Sequence, residues 1–372
     1  MLFRSKKYAD QREACFACTT PYQLLGAISI VQNNGINADL YLFGLFNRMG
    51  DFIERLKKYS IFKEIILVDN QRFKPKGIFK AVFQALNSRK EAGRFLPPER
   101  VYDTFYTTSR AYGKMILIYE LQRRKKDIKY VFYEDGMGSY LKTSSQLNSS
   151  WQRFFIELIK RCKPFSPAKT SIMVSFPHLL ELPDKLKNIS ISRMLPMMMN
   201  DSNKMMLMDV FSMNNDDVIN AKVILFDTVR GGVAEKTMDI DAMDKGFEDV
   251  VEAFSGDVIC KPHPKSLCFS AINVPMYTKQ YIPTELIYTT MEDLERRILV
   301  GNLSTAMFTP KLLFNKEPIV ISLHKMVWPQ RKDLIAVFDK FASSYENRER
   351  VFAPNNREEM RNYLKSCRNR NT

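Results

Sequence analysis

From Ala14 onward, short β-like runs alternate with amphipathic stretches of helical spacing, and the alternation restarts at Lys222. Chains that build a parallel sheet from βα units read this way, because each strand is followed by a helix that covers the sheet before the next strand begins. The first series predicts strands over Cys15–Thr19, Asp39–Phe46, Glu64–Val68, Thr104–Thr108, Tyr130–Tyr133 and Ser171–Phe176. Helices are expected over Tyr22–Gln32, Asp51–Tyr59, Ile78–Ala92, Tyr112–Arg124 and Trp151–Cys162. The second series predicts strands over Val223–Phe226, Val258–Cys260, Ile298–Val300 and Pro318–Ile321, with helices over Ala242–Phe254, Ala306–Phe314 and Lys332–Phe341. The expected class is α/β, with residues 1–176 and 221–372 as two Rossmann-like domains facing one cleft and ligands outside the carboxyl ends of the strands. Between them, residues 177–220 include the Met-rich stretch MLPMMMNDSNKMMLMDVFSMNNDD, which has no clean period and reads as a linker with short helices. Methionines adapt to irregular apolar surfaces, so this segment serves either as a subunit contact or as plain packing.

Composition narrows the function classes. The chain of 372 residues is 45% hydrophobic and 12% aromatic, enough to bury a large core. A net charge of +15 favours an anionic partner or, more simply, a solvated basic surface. No uninterrupted run of about 18 apolar residues is present, so no membrane-spanning helix is expected. The start, MLFRSKKYADQREACFACTT, is too polar for a secretory signal, and a cytoplasmic location is expected. Cysteines at 15, 18, 162, 260, 268 and 367 are then expected to be reduced. Cys15 and Cys18 form a CxxC inside a strand-like run, without a second pair at zinc-site spacing, and read as small apolar residues of a buried strand. GxGxxG and GxxxxGK[ST] are both absent.

Polar clusters fall at the carboxyl ends of predicted strands. TTPYQLL, Thr19–Leu25, joins a strand to a helix with Pro21 near the first helical position; Thr20 is a helix cap or, at a cleft, part of an anion site. YEDGMGSY, Tyr133–Tyr140, sets two adjacent carboxylates, Glu134 and Asp135, before Gly136, whose freedom at positive φ suits either a tight turn or a backbone approach to ligand. KPHP, Lys261–Pro264, holds one of only three histidines between two prolines, so the imidazole of His263 is aimed with little local entropy left to lose. Such a group can donate a proton to a leaving group or bind phosphate when charged. GNLSTAMF, Gly301–Phe308, puts the hydroxyls of Ser304 and Thr305 at a helix start, where capping explains one and phosphate binding explains both. In YIPTELIY, Glu285 either starts a helix or accepts from a ribose diol.

Taken in order, the acidic-acidic-glycine loop, the His-Pro pair, the Pro-x-Glu and the paired hydroxyls resemble the motif series of bacterial sialyltransferases. TPYQLL and the chain length resemble, within that group, glycosyltransferase family 52, the lipooligosaccharide sialyltransferases. The resemblance implies a GT-B fold, with CMP-sialic acid bound mainly by the second domain and inversion at the anomeric carbon without metal or other cofactor. It implies that His263, beside Lys261 and Pro264, contacts or protonates the CMP phosphate, that Ser304 and Thr305 hold the same phosphate, and that Glu285 binds the ribose. Thr20, Glu134, Asp135 and Gly136 fall to the first domain. In family 52 the base is an aspartate just upstream of the His-Pro motif within a domain-swapped dimer. Here TMDIDAMDKGFED offers Asp239, Asp241 and Asp244, and spacing from His263 favours Asp241, with Asp239, Asp244 or the Glu134–Asp135 loop as the alternative bases; the same carboxylates of TMDIDAMDKGFED also suit the start of the helix Ala242–Phe254. The implied acceptor is a terminal galactose, or similar sugar, of a lipid-linked surface glycan such as lipooligosaccharide or capsule, with polysialic acid elongation or hexosyl transfer as alternatives within the fold. Arg123–Lys126 and the tail Arg361–Arg370 would favour peripheral membrane contact. Against nucleic-acid binding stand the dispersed charge and the lack of an RNA- or DNA-binding signature. A purely structural protein leaves the polar groups at strand ends without a cause.

Overall fold

Strand β1, Asp10–Cys18, pairs in parallel with two neighbours at once, aligning Ala14 with Ala38 on one side and with Thr104 on the other. That double pairing organises the first of two compact units, Met1–Met197, in a computed structural model of the chain. The structure describes residues 10–44, 49–69, 83, 87–109, 112–140, 167–182, 184–228, 238–263, 272–279 and 282–370.

After β1 the chain forms α1 (Pro21–Asn34), β2 (Ala38–Phe43), α2 (Met49–Lys58) and β3 (Ile65–Val68), moving outward along the sheet. It then returns through α3 (Ser88–Ala92) to β4 (Arg100–Thr107) on the other side of β1. From there α4 (Tyr112–Arg124), β5 (Lys129–Tyr133), β6 (Thr170–Val174) and β7 (Ser190–Arg193) complete a seven-stranded parallel sheet in the order β3-β2-β1-β4-β5-β6-β7. Direction reverses between β1 and β4, and in open sheets of this kind the crevice for ligand lies outside the carboxyl ends of the two strands at such a reversal. Helix α1 is held to this point by its own sequence. Thr20 accepts a hydrogen bond from the Gln23 amide, Pro21 occupies the first turn, and Gly35 ends the helix at φ 62°.

The second unit, Met198–Thr372, opens with α5 (Asp201–Val210) and continues through β8 (Val223–Phe226), α6 (Ile240–Ala253), β9 (Val258–Lys261) and α7 (Thr284–Thr289). Next come β10 (Ile298–Gly301), α8 (Thr305–Phe314), β11 (Ile319–Ser322), α9 (His324–Val327), α10 (Lys332–Ala342), β12 (Val351–Phe352) and α11 (Arg357–Arg370). Its five parallel strands run β12-β11-β10-β8-β9, so this sheet reverses between β8 and β10. VILF, ILVG and IVIS are buried along their whole length, as strands covered on both faces must be. Each fully buried Leu, Ile or Phe in these cores contributes about 1.5–3 kcal/mol. Gly301 is required at the reversal: a Cβ there would stand 2.9 Å from the Phe226 carbonyl oxygen and 2.9 Å from Met307 Sδ.

The unit boundary falls inside the segment 177–220 that reads as a linker. Its first part supplies β7, and its second part supplies α5 of the other unit. β7 is SISR, an exposed edge strand without an apolar face, and so carries no alternation to detect. The tail also differs from expectation: Arg361–Arg370 is not a free basic segment but most of α11, which buries Met360, Leu364 and Cys367 on one face. Arg357 and Arg361 both donate to Asp249 of α6, at 2.7 and 2.8 Å. In the run Arg123–Lys126, Arg123 and Arg124 pair with Glu120, and Lys125 pairs with Asp103. Arg123, Arg124, Lys125 and Arg361 are thus held in ion pairs within the fold. Among the described residues, no helix is long and apolar enough to cross a membrane. The helix expected over Trp151–Cys162 and much of that over Ile78–Ala92 lie outside the described residues. Cys15 and Cys18 are free thiols buried in β1, where burial raises both thiol pKa values, that of Cys18 to about 11, and keeps them protonated.

Candidate functional site

At the carboxyl edge of the first sheet, β1, α1, α4 and the loop after β5 meet in two hydrogen-bonded clusters, one on Glu134 and one on its neighbour Asp135. Gly136 adopts φ 68°, the left-handed conformation that turns the loop sharply after its two carboxylates. The turn separates their roles. Glu134 is fully buried; its Oε1 accepts from the Tyr22 hydroxyl at 2.6 Å, and its Oε2 accepts from the Tyr140 hydroxyl and from the Ser175 amide at 3.0 Å. Burial raises its pKa, and those three donors oppose the rise. Asp135 is only half-buried, and Gln23 Nε2 donates to both its oxygens, at 3.1 and 3.2 Å. Its pKa is also raised by burial, against the Gln23 hydrogen bond and the charge of Lys114. Glu134 therefore ties α1 to the end of β6, whereas Asp135 is held by the Gln23 side chain and stays half-buried.

Sequence reasoning took Thr20 from TTPYQLL and passed over its neighbours. Thr20 is the half-buried cap of α1. Tyr22 and Gln23, one turn in, reach the acidic loop instead. Lys114 was missed too: it is fully buried and its Nζ donates to Gln23 Oε1 at 3.2 Å. The signal for it is a lysine followed at the third and fourth positions by Leu117 and Ile118, on the apolar side of a helix.

At the carboxyl edge of the second sheet the expected residues come from three loops. β9 ends at Lys261, whose Nζ is buried, donates to the Ile282 carbonyl at 3.1 Å and sits 4.8 Å from the Tyr277 ring centre. Burial lowers its pKa to about 8, with the Glu285 carboxylate opposing. The two residues are thus electrostatic neighbours, a pairing their sequence positions do not announce. His263, half-buried, follows β9 by two residues; Pro264 lies outside the described residues. Glu285 stands in the first turn of α7.

β10 gives way to α8 through Asn302, Leu303 and Ser304. Leu303 holds φ 51°, a left-handed conformation that costs a residue with a side chain about 1–2 kcal/mol. It sets Ser304 as the cap of a ten-residue helix whose capping position makes no side-chain hydrogen bond to the helix, with Thr305 next. Tyr288 braces the first turn by donating to the Ala306 carbonyl at 2.8 Å. The Asn302 side-chain oxygen is buried without a hydrogen-bond partner among the described residues. β9 and β10 flank β8, so the His263 and Ser304 loops leave the sheet about 10 Å apart, two strand spacings, with Asp227 and Thr228 between them.

Asp241 is exposed in the first turn of α6. The cap of that helix is Asp239, which accepts from the Ala242 amide at 2.9 Å.

Two doubly wound parallel units, each with polar groups at its reversal point, define an α/β protein of the kind that binds nucleotides or other small ligands at strand ends. The family model for alpha-2,8-polysialyltransferase (POLYST) matches residues 15–322, which include both edges and every motif above. The chain belongs to that family and is a sialyltransferase, a glycosyltransferase whose donor is CMP-sialic acid and whose acceptor is a glycan. No curated protein matches the chain.

Proposed function

We propose that this chain is an inverting GT-B sialyltransferase in which the second unit holds CMP-sialic acid and the first supplies the base for the acceptor. The observation that carries the reading is the loop Gly301–Thr305. A strained Leu303 presents Ser304 and Thr305 at the N-terminus of α8, at the reversal point of its sheet, with the Ser304 hydroxyl not used to cap its own helix. The donor phosphate sits there, with His263 approaching from the β9 side and Glu285 on the ribose. Asp135 takes the proton of the acceptor hydroxyl. The freed oxygen attacks the anomeric carbon as the bond to the CMP phosphate oxygen breaks, and the electron pair leaves with CMP. The helix N-terminus, two hydroxyls and the imidazole meet the charge that grows on that phosphate, the role a divalent cation plays in other glycosyltransferases.

Asp135 is preferred to Asp241 because the network aims and desolvates it, whereas Asp241 is exposed where a carboxylate serves the helix dipole. The acceptor implied by the motif resemblance is a terminal galactose of a lipid-linked surface glycan. The family match supports a second reading, a terminal sialic acid that the enzyme extends. Incubating the protein with CMP-sialic acid in EDTA, in parallel with a lactose-type and an α2,8-linked disialyl acceptor, separates them. Product on lactose alone supports the first, product on the disialyl acceptor alone the second, and no product on either with EDTA but product with added Mg²⁺ contradicts the metal-free mechanism.

A further inference from the structure

Lysines are almost never fully buried unless paired, and among the described residues no carboxylate lies within hydrogen-bonding reach of Lys114; it donates to an amide oxygen. That oxygen, Gln23 Oε1, also accepts from the Thr19 amide at 2.8 Å and from the Thr19 hydroxyl at 2.9 Å. Three donors converging on one atom leave the Gln23 amide a single orientation, because a flipped side chain would set its NH2 against an ammonium and a backbone N–H. Its Nε2 must then point the other way, and there it spans both oxygens of Asp135. The Asp135 amide, in turn, donates to the Ser139 hydroxyl at 2.7 Å, which fixes the loop from its other side.

We propose that Lys114 and Gln23 are positioning residues for the transfer reaction: the buried ammonium locks the Gln23 amide, and that amide clasps the Asp135 carboxylate in the orientation that receives the acceptor proton. This rests on the reading of Asp135 as the base. The arrangement also sets the charge of the carboxylate. Cys18 on β1, Tyr22 on α1 and Tyr133 on β5 face Asp135, and burial keeps all three protonated. Glu134, next in the chain, is turned to Tyr22, Tyr140 and the Ser175 amide. Lys114 is thus the cation that opposes the desolvation of Asp135. Above the point where Lys114 itself loses its proton, near 8, that support is withdrawn.

The test is the pH dependence of kcat and kcat/KM for the full-length protein with CMP-sialic acid, with thermal melting to establish that each variant is folded. Lys114→Met is expected to lower kcat about tenfold or more through misplacement of the carboxylate, leaving KM for the donor within about twofold. Its acid limb moves up by about one pH unit, the effect of removing a nearby opposite charge. Lys114→Arg, which keeps the charge, leaves the limb near its original position. Should Lys114→Met not fold, Gln23→Glu serves instead: it places a second carboxylate against Asp135 and is expected to raise the limb further. A folded Lys114→Met or Gln23→Glu with unchanged kcat and acid limb overturns the proposal. If Asp135→Asn is itself fully active, the base reading fails with it; if Asp135→Asn is inactive while Lys114→Met keeps its profile, only the positioning role fails.

Discussion

The carboxyl edges of the two sheets hold similar residue types in opposite conditions. In the first unit the two carboxylates of the acidic loop are both held: Glu134 accepts from Tyr22, Tyr140 and the Ser175 amide, while half-buried Asp135 accepts from Gln23, whose own oxygen accepts from Lys114. In the second unit the reversal point keeps its capacity in hand, with a Ser304 side chain that makes no cap bond, an unpartnered Asn302 oxygen among the described residues and a left-handed Leu303. A satisfied network fixes one carboxylate with little freedom, which suits proton transfer. Unspent hydroxyls at a helix N-terminus suit an anion, whose binding repays the local strain.

The largest expected effect comes from removing the group that the first edge is built to hold. Asp135→Asn should lower kcat by about 10²–10⁴-fold, the range for loss of a general base, with CMP affinity unchanged by titration calorimetry. His263→Ala on the second edge should cost about a hundredfold in turnover if the imidazole serves the leaving phosphate. Near-normal turnover would remove His263 from the mechanism. Smaller still is Ser304→Ala combined with Thr305→Val: loss of two hydroxyl contacts of about 1 kcal/mol each should weaken CMP binding about tenfold or more. Unchanged affinity would break the contrast between the edges. Asp241→Asn should leave turnover near wild type and lower stability by about 0.3–1 kcal/mol, the worth of a carboxylate at a helix start. Loss of transfer in this variant would move the base to the second unit.

One histidine of the second edge sharpens the contrast by belonging to the core. His324 is fully buried, bonded through Nδ1 to Ser322 Oγ at 2.9 Å and set against Phe338. Burial, with the charge of Lys325, pushes its pKa down to about 4 from an ordinary 6.5. The unfolded chain binds its proton first, so this group's contribution to stability is present above pH 6.5 and is lost as pH falls toward 4, at about 1.4 kcal/mol per unit. Chemical denaturation at pH 7, 5.5 and 4.5 should show that loss, reduced in His324→Asn.

Much of the fold was legible because parallel strands buried on both faces are continuous apolar runs. VILF, ILVG and KYVFY stand out from the polar segments around them, and their observed limits lie within a residue or two of the expected ones. SISR did not stand out, because an exposed edge strand needs no apolar face. The N-terminus of α1 was readable from Thr20 and Pro21, and the turn at Gly136 from its position after two carboxylates. The site was less legible. Gln23 and Asp135 are separated by 112 positions and are joined by an amide whose orientation depends on Lys114, on a third element. Nothing local in any of the three segments encodes that meeting; it follows from the strand order, which sets β1 and β5 on either side of β4. The proximity of Lys261 and Glu285 escaped for the same reason.

The most direct measurement is single-turnover transfer from saturating CMP-sialic acid by Asp135→Asn at neutral pH, beside Asp241→Asn. An aspartate aimed by its own network predicts product formation slowed by about two orders of magnitude or more in the first and unchanged in the second. Wild-type transfer by Asp135→Asn, with Asp241→Asn inactive, would contradict it.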